Sequence, residues 1–151
     1  MIFIYEKTTG KVKVFYQGDI KQIDNYDNED WAEAQFPDDK DVIDNPYDYK
    51  VIIVNNLPVA YHKKPKLELS FDKLYITGDG VDEATLTVNV TEVHPFEIDK
   101  YNTVKIYINR EECEVSNGDN IAITSDEDQF NIRVTGDHNI FRVTEANLEV
   151  I

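Results

Sequence analysis

The stretch of residues 67–91 constrains the fold most, because it contains two runs in which apolar and polar residues alternate. The runs cover residues 67–71 and 84–90, and Asp79 and Gly80 lie between them. Alternation with a period of two is typical of a β-strand that turns one face to a core and the other to water. Gly80 allows the positive φ that a tight turn needs. The stretch therefore predicts two neighbouring strands at the start of a β-sandwich.

Strand-like runs continue to the end of the sequence, with turn residues such as Asn117-Gly118-Asp119 between them. We count seven runs: residues 67–71, 83–91, 103–109, 112–115, 120–124, 129–134 and 139–150. Seven short alternating strands are the number that an immunoglobulin-type sandwich needs. The sequence thus predicts a mainly β protein whose residues 67–151 form an Ig-like antiparallel β-sandwich.

The first part of the chain, residues 1–62, predicts a small β-rich attachment module. Two stretches alternate on either side of turn residues, which indicates β-hairpins over residues 1–17 and 49–61. Basic, proline-containing residues 63–66 follow the second hairpin and predict a linker to the sandwich.

An acidic segment over residues 19–48 separates the two hairpins, with eleven acidic residues against two lysines. Within it, residues 30–36 predict a short helix that Asp30 would cap and Pro37 would end. Residues 24–30 superficially resemble a calcium loop, but the sixth position lacks glycine. We therefore interpret them as an acidic surface loop.

The charge of the chain restricts its partners. Its formal net charge is -15, and residues 67–151 alone contain eighteen acidic and six basic residues. Such a surface repels phosphate backbones and anionic lipid, so no nucleic acid or membrane partner is predicted. No apolar run is long enough for a membrane span, and no signal peptide is recognised at the start. We therefore expect folding in a cytoplasm.

Residues 71–90, FDKLYITGDGVDEATLTVNV, resemble the opening strands of bacterial Ig-like domains of the invasin and intimin type. The resemblance lies in the Asp-Gly turn and the following D-x-A-T pattern with alternating hydrophobic residues. Such domains also occur in phage virion proteins. Residues 4–12 are similar to the hairpin that begins many phage tail-fibre and baseplate-associated proteins. The resemblance implies a non-catalytic role and brings no cofactor.

These resemblances imply a phage or prophage virion protein, a tail, baseplate or fibre component assembled in the host cytoplasm beside other virion proteins. A homo-oligomer is expected, because virion fibres are usually symmetric assemblies. Aromatic residues concentrate at protein interfaces. In the N-terminal module we assign this role to Trp31, Tyr47 and Tyr49. Two alternatives remain open: a carbohydrate-binding module and a bacterial cell-surface adhesion domain.

Acidic loops suggest a calcium site. In an up-and-down order of strands, the first, third and fifth connections lie at one end of the sandwich. Clustered carboxylates repel one another until a cation such as Ca²⁺ binds. The assigned residues are Asp79, Asp82, Glu83, Asp126 and Asp128. The alternative is that they are ordinary solvated turn residues, since the sequence contains no EF-hand pattern.

The second and sixth connections would meet at the opposite end of the sandwich. Aromatic and polar side chains at such a rim could hold a cell-surface glycan or a partner protein. The assigned residues are His94, Phe96, Tyr101 and His138. The alternative is that the aromatic rings cover the end of the core.

No catalytic motif is recognised. The sequence lacks G-x-S-x-G, Walker, dinucleotide and H-E-x-x-H patterns, and the acidic residues are too numerous for a glycosidase pair to be selected. Cys113 is the one cysteine, so an intrachain disulfide is excluded. We therefore predict that the chain is not an enzyme.

Overall fold

The structure, a computed structural model, describes residues 1–17, 30–127 and 129–151. The chain divides into two compact units: Met1–Lys64 with His94–Phe96, and Pro65–Val93 with Glu97–Ile151. Strands dominate both units, so the predicted mainly β class is confirmed.

The first unit contains two antiparallel sheets. Its strands β1 to β5 cover Ile2–Glu6, Val12–Tyr16, Trp31–Gln35, Tyr49–Val54 and Leu57–Lys63. One sheet has the order β2-β1-β3, and β4 and β5 form a hairpin. Both predicted hairpins are confirmed. The second turns at Asn55 and Asn56, whose φ angles of +51° and +63° belong to a left-handed region that asparagine tolerates.

The predicted helix over residues 30–36 is wrong, because β3 occupies Trp31–Gln35. This strand pairs along the whole of β1, from Gln35 opposite Ile2 to Trp31 opposite Glu6. The side chains of Ile2 to Tyr5 in β1 are all buried, so the backbone groups on both edges of β1 need partners. Pairing with β3 supplies them, and this tertiary requirement overrides a weak local preference for helix.

A helix lies further along the acidic segment. Helix α1 spans Lys40–Asp44, and the side chain of Asp39 accepts the N–H of Asp41 at 3.0 Å, which caps its first turn. Val42 anchors the helix, because its side chain is fully buried. A 3-10 helix follows at Pro46–Asp48. Most of the predicted acidic loop at residues 24–30 lies outside the described residues.

Aromatic rings form the centre of the first core. Phe3 is fully buried, and its ring lies 5.5 Å from that of Phe15 and 5.9 Å from that of Phe36. Tyr61 packs edge-on against Phe36 at 5.2 Å, while its hydroxyl donates a hydrogen bond to Asp39 at 2.9 Å. The ring contact between Tyr61 and Phe36 joins the β4–β5 hairpin to the first sheet within one hydrophobic cluster.

The second unit consists of two sheets that share one core. Its strands β6 to β14 cover Lys66–Phe71, Tyr75–Ile76, Ala84–Thr91, Thr103–Ile108, Glu111–Ser116, Asn120–Ile123, Phe130–Gly136, Arg142–Thr144 and Ala146–Val150. The sheet orders are β10-β9-β12-β14-β7 and β11-β8-β6-β13. Alternate residues of both sheets enter the same hydrophobic cluster, as in a β-sandwich. A 3-10 helix at Pro95–Tyr101 lies between β8 and β9.

The expectation of purely antiparallel pairing is wrong at two places. The predicted run over residues 139–150 is two strands, since β13 pairs parallel with β6 whereas β14 pairs antiparallel with β12 in the other sheet. The short strand β7 likewise leaves β6 and pairs parallel with β14. These exchanges cover backbone edges that would otherwise remain open.

The predicted linker over residues 63–66 is shorter than expected. Strand β5 extends to Lys63 and β6 begins at Lys66, so that Lys64 and Pro65 alone connect the two strands. Lys64 donates its N–H to the carbonyl of Asp48 in the first unit at 2.8 Å, whereas Pro65 accepts the N–H of Arg142 in the second unit at 2.9 Å.

Gly10 permits a close approach of two backbones in the first unit. Its φ is +74°, its carbonyl accepts the N–H of Val51 at 2.8 Å, and an added Cβ would lie 1.9 Å from the carbonyl oxygen of Val51. We expect Gly10→Ala to lower the free energy of unfolding by about 2–5 kcal/mol, from left-handed strain and backbone overlap.

Gly118→Ala is the matched control, because Gly118 has φ +89° but no atom within 4 Å of an added Cβ. It should cost about 1–2 kcal/mol from strain alone. Urea unfolding followed by fluorescence and circular dichroism measures both. Equal losses for the two variants would contradict the role of the Gly10 contact.

Candidate functional site

A groove on the outer face of the five-stranded sheet in the second unit is the candidate site. Ile106 of β9 and Val134 of β12 are fully buried, so alternation turns their neighbours Tyr107, Arg133 and Thr135 outward. The groove encloses about 560 Å³, and all of its lining belongs to the second unit: Tyr107, Asn109, Arg110, Arg133, Thr135, His138 and Glu145.

The tight turn between β9 and β10 brings two of these residues to the groove. Asn109 and Arg110 have φ angles of +46° and +72°, the pair of left-handed conformations that a two-residue hairpin turn requires. Asn109 is also tied to β12. Its N–H donates to the carbonyl of Arg133 at 2.9 Å, and its side-chain oxygen accepts the N–H of Arg133 at 2.8 Å. The turn is therefore fixed against the sheet.

An ion pair between Arg133 and Glu145 lies in the groove beside this turn. Arg133 donates from Nε to Glu145 Oε2 at 2.9 Å and from Nη2 to both carboxylate oxygens at 2.8 Å. Thr135 Oγ1 donates to Glu145 Oε1 at 2.9 Å. The hydrogen bonds from Arg133 and then from Thr135 hold the pKa of Glu145 below its ordinary value. Glu145 is therefore ionised at neutral pH.

The same groups do not have the geometry of a nucleophilic relay. His138 approaches Thr135 Oγ1 at 3.3 Å and Glu145 Oε1 at 3.5 Å with one atom, Nε2. In a serine-type triad, the nucleophile and the acid contact opposite nitrogens of the imidazole. Here the hydroxyl donates to the carboxylate directly. The arrangement supports binding and orientation rather than activation of Thr135.

The predicted rim residues have different environments. Tyr101 is 8% exposed and its ring lies 5.4 Å from that of Phe141, so it covers the core, as the alternative interpretation expected. Burial raises its pKa above the ordinary value. Phe96 is 67% exposed and donates its N–H to His94 Nδ1 at 3.1 Å, but both residues are grouped with the first unit. His138 is exposed and lines the groove.

The aromatic residues assigned to partner binding in the first unit also differ in exposure. Tyr49 is 8% exposed and belongs to the first core, so its assignment to a surface is wrong. Trp31 is half-buried, and Lys13 Nζ lies 4.5 Å from the centre of its ring in a cation–π contact. Tyr47 is 53% exposed and is accessible to a partner.

Two of the loops assigned to calcium do meet. The N–H of Gly80 donates to the carbonyl of Ser125 at 2.8 Å, which joins the loop before β8 to the loop before β12. Glu83 and Asp126 are exposed there, whereas Asp128 lies outside the described residues. Among the described residues, those of these two loops included, no three acidic, histidine or cysteine side chains are close enough to hold a metal ion.

Loop hydrogen bonds occupy the carboxylates of the other two predicted ligands. Asp79 accepts the N–H groups of Val81 and Asp82, each at 2.8 Å, and Asp82 accepts Lys73 Nζ and the N–H of Thr77, each at 2.9 Å. These bonds lower the pKa of both carboxyl groups; for Asp82 the contact with Lys73 contributes most. Lys73 thus compensates the charge of Asp82, whereas backbone N–H groups stabilise Asp79.

Sequence reasoning missed Tyr107, Asn109 and Arg110 as site residues. A signal was present, because alternation over residues 103–109 places an aromatic ring on the polar face of a strand. The involvement of Arg133 and Glu145 had no comparable signal, since twelve residues separate them and their contact depends on the exchange of strands between sheets.

Comparisons of the chain with protein-family models, with curated proteins and with solved structures found no match. Across the described residues, no helix has the length and apolar character needed to cross a membrane.

The hydrogen bonds of Asp82 predict a pH dependence of stability. Because the hydrogen bond from Lys73 lowers the pKa of Asp82 below its ordinary value in the folded chain, its contribution to stability is present above that ordinary value and is lost as the pH falls through the folded pKa. We expect Asp82→Asn to reduce the urea midpoint at pH 7, and the difference from the parent chain to shrink as the pH falls below the ordinary pKa of an aspartate. Asp99→Asn, at an exposed position, is the control; a difference that stays constant with pH would contradict the assignment.

Calcium is expected to leave the stability of the chain unchanged. Lys73 forms an ion pair with Asp82, and the N–H of Thr77 donates to the other oxygen of that carboxylate, so a cation at Asp82 would have to displace these donors. The melting temperatures in millimolar calcium and in chelator should therefore agree. A clear rise in calcium that Asp82→Asn abolishes would restore the calcium site predicted from the sequence.

Proposed function

We propose that this chain is a non-catalytic structural protein of a phage or prophage virion. It would serve as a tail, baseplate or fibre component in which the first unit attaches to other virion proteins and the second displays an Ig-like domain. The resemblance of residues 71–90 to Ig-like domains supports this role, as do the two sheets around one core.

The observation that carries the proposal is the open edge of β5 in the first unit. Among the described residues, β5 pairs with β4 alone, which leaves its other edge without a neighbouring strand. Leu57 and Val59 on this strand are 64% and 45% exposed. An open edge with protruding apolar side chains can take up an additional strand from a partner. The net charge of -15 opposes association between copies through the same edge.

The polar groups of the second unit favour a binding role over catalysis. The carboxylate of Glu145 forms an ion pair with Arg133 and accepts a hydrogen bond from the hydroxyl of Thr135. Glu145 is therefore not the free base that activation of Thr135 as a nucleophile requires. The groove is also open, whereas hydrolytic chemistry usually takes place in a more enclosed pocket.

The proposal predicts that the chain is incorporated into particles through β5. In a host that carries the encoding phage or prophage, a tagged chain should copurify with intact particles on a density gradient, as quantified by mass spectrometry. The double substitution Leu57→Lys with Val59→Lys should reduce incorporation by about tenfold or more, because it places two charges in an apolar contact.

Leu74→Lys is the matched control, since Leu74 is 86% exposed in the second unit and should tolerate a charge. Circular dichroism verifies that each variant folds. Intact particles that lack the chain would refute the virion role. Recovery of the chain on the bacterial cell surface instead would favour the adhesion-domain alternative.

A further inference from the structure

We propose that the groove on the five-stranded sheet binds an acidic saccharide, with Arg110 as the residue that holds the sugar carboxylate. This site goes beyond the virion role and does not depend on it. It shares His138 with the rim predicted from the sequence, whereas Tyr101 of that rim is buried and lies outside the groove lining.

Arg110 is distinguished by its charge environment. Six of the seven lysine and arginine side chains in the second unit form ion pairs with carboxylates: Lys66, Lys73, Lys100, Lys105, Arg133 and Arg142. Within the part of the chain that the structure describes, Arg110 is the exception, and it is exposed. A guanidinium group matches the two oxygens of a carboxylate in a fork geometry. The groove thus offers a free cation in a strongly acidic unit.

Neighbouring groups supply contacts for sugar hydroxyls and for a sugar ring. The side-chain oxygen of Asn109 accepts the N–H of Arg133, which leaves the N–H₂ group of the amide to donate to a ligand. Tyr107 is half-buried in the groove lining, and its phenol ring provides an apolar surface with a polar end. One cation, one aromatic ring and several hydrogen-bonding groups fit a carboxylated sugar.

The remaining lining residues do not compete for Arg110. Glu145 is the one carboxylate in the lining, and its oxygens already accept hydrogen bonds from Arg133 and Thr135. The bidentate contact also holds Arg133 in place as part of a preorganised floor. The volume of about 560 Å³ falls in the usual range for small-molecule sites, about 300–1,000 Å³. An isolated cation suits a singly charged carboxylate better than a phosphoryl group, which usually recruits several donors.

The test is an amide NMR titration of the full chain with trigalacturonate, with the neutral galactose trisaccharide and inorganic phosphate as comparison ligands. Trigalacturonate should shift signals of residues 107–110 and 133–138, whereas the neutral sugar and phosphate should not do so at the same concentration. Arg110→Gln should weaken the affinity by about tenfold or more, as expected when a charged hydrogen bond is removed.

Lys105→Gln is the matched control. It removes the same charge from the same hairpin, but Lys105 is paired with Glu112 and lies outside the groove lining. The affinity of the Lys105→Gln variant for trigalacturonate should stay within about twofold of that of the parent chain. Three results would each overturn the proposal: no shifts with trigalacturonate up to about 10 mM, equal shifts with phosphate, or an Arg110→Gln variant that binds as the parent does. Particle incorporation is measured separately, so failure here leaves the virion test unaffected.

Discussion

The burial of alternate residues from two sheets in one core determines most of the second unit. Fully buried Leu86 and Val88 contribute from one sheet, and Ile106 and Val134 from the other. Since successive residues of a strand point to opposite faces, each buried residue also directs its neighbours outward. Tyr107, next to Ile106, therefore reaches the outer face where the groove lies. The site is a consequence of the packing on the other side of the sheet.

Charge compensation gives this surface its chemical character. In an acidic unit almost every cation has a carboxylate within reach, and surface pairs of this kind add little to stability. They nevertheless determine which side chains remain available to a ligand. Arg133 is held by Glu145, whereas Arg110 projects from a turn whose backbone is bound to β12 through Asn109. Arg110 is thus available to a ligand because the other lysine and arginine side chains of the second unit are engaged by carboxylates.

The first unit is organised around β1, whose side chains are buried on both faces and whose backbone is paired on both edges. A strand of this kind needs neighbours of suitable length, and β3 is one of them although its sequence also suits a helix. Strand β5 has a neighbouring strand on one edge alone within the described residues. The unit therefore combines β1, which is paired on both edges, with an edge strand, β5, that can accept a partner strand, and this edge is the basis of the proposed attachment.

Local sequence patterns determined the mainly β class, both hairpins of the first unit and the positions of most strands in the second. These features depend on the period-two alternation and on turn residues such as Asn55-Asn56, both of which act over a few residues. Tertiary structure decided the strand identity of residues 31–35, the division of the last run into β13 and β14, and the burial of Tyr49 and Tyr101. It also decided the contact of Arg133 with Glu145. The physical reason is that each of these features depends on which distant backbone edge or apolar surface is available, and a short stretch of sequence does not contain that information.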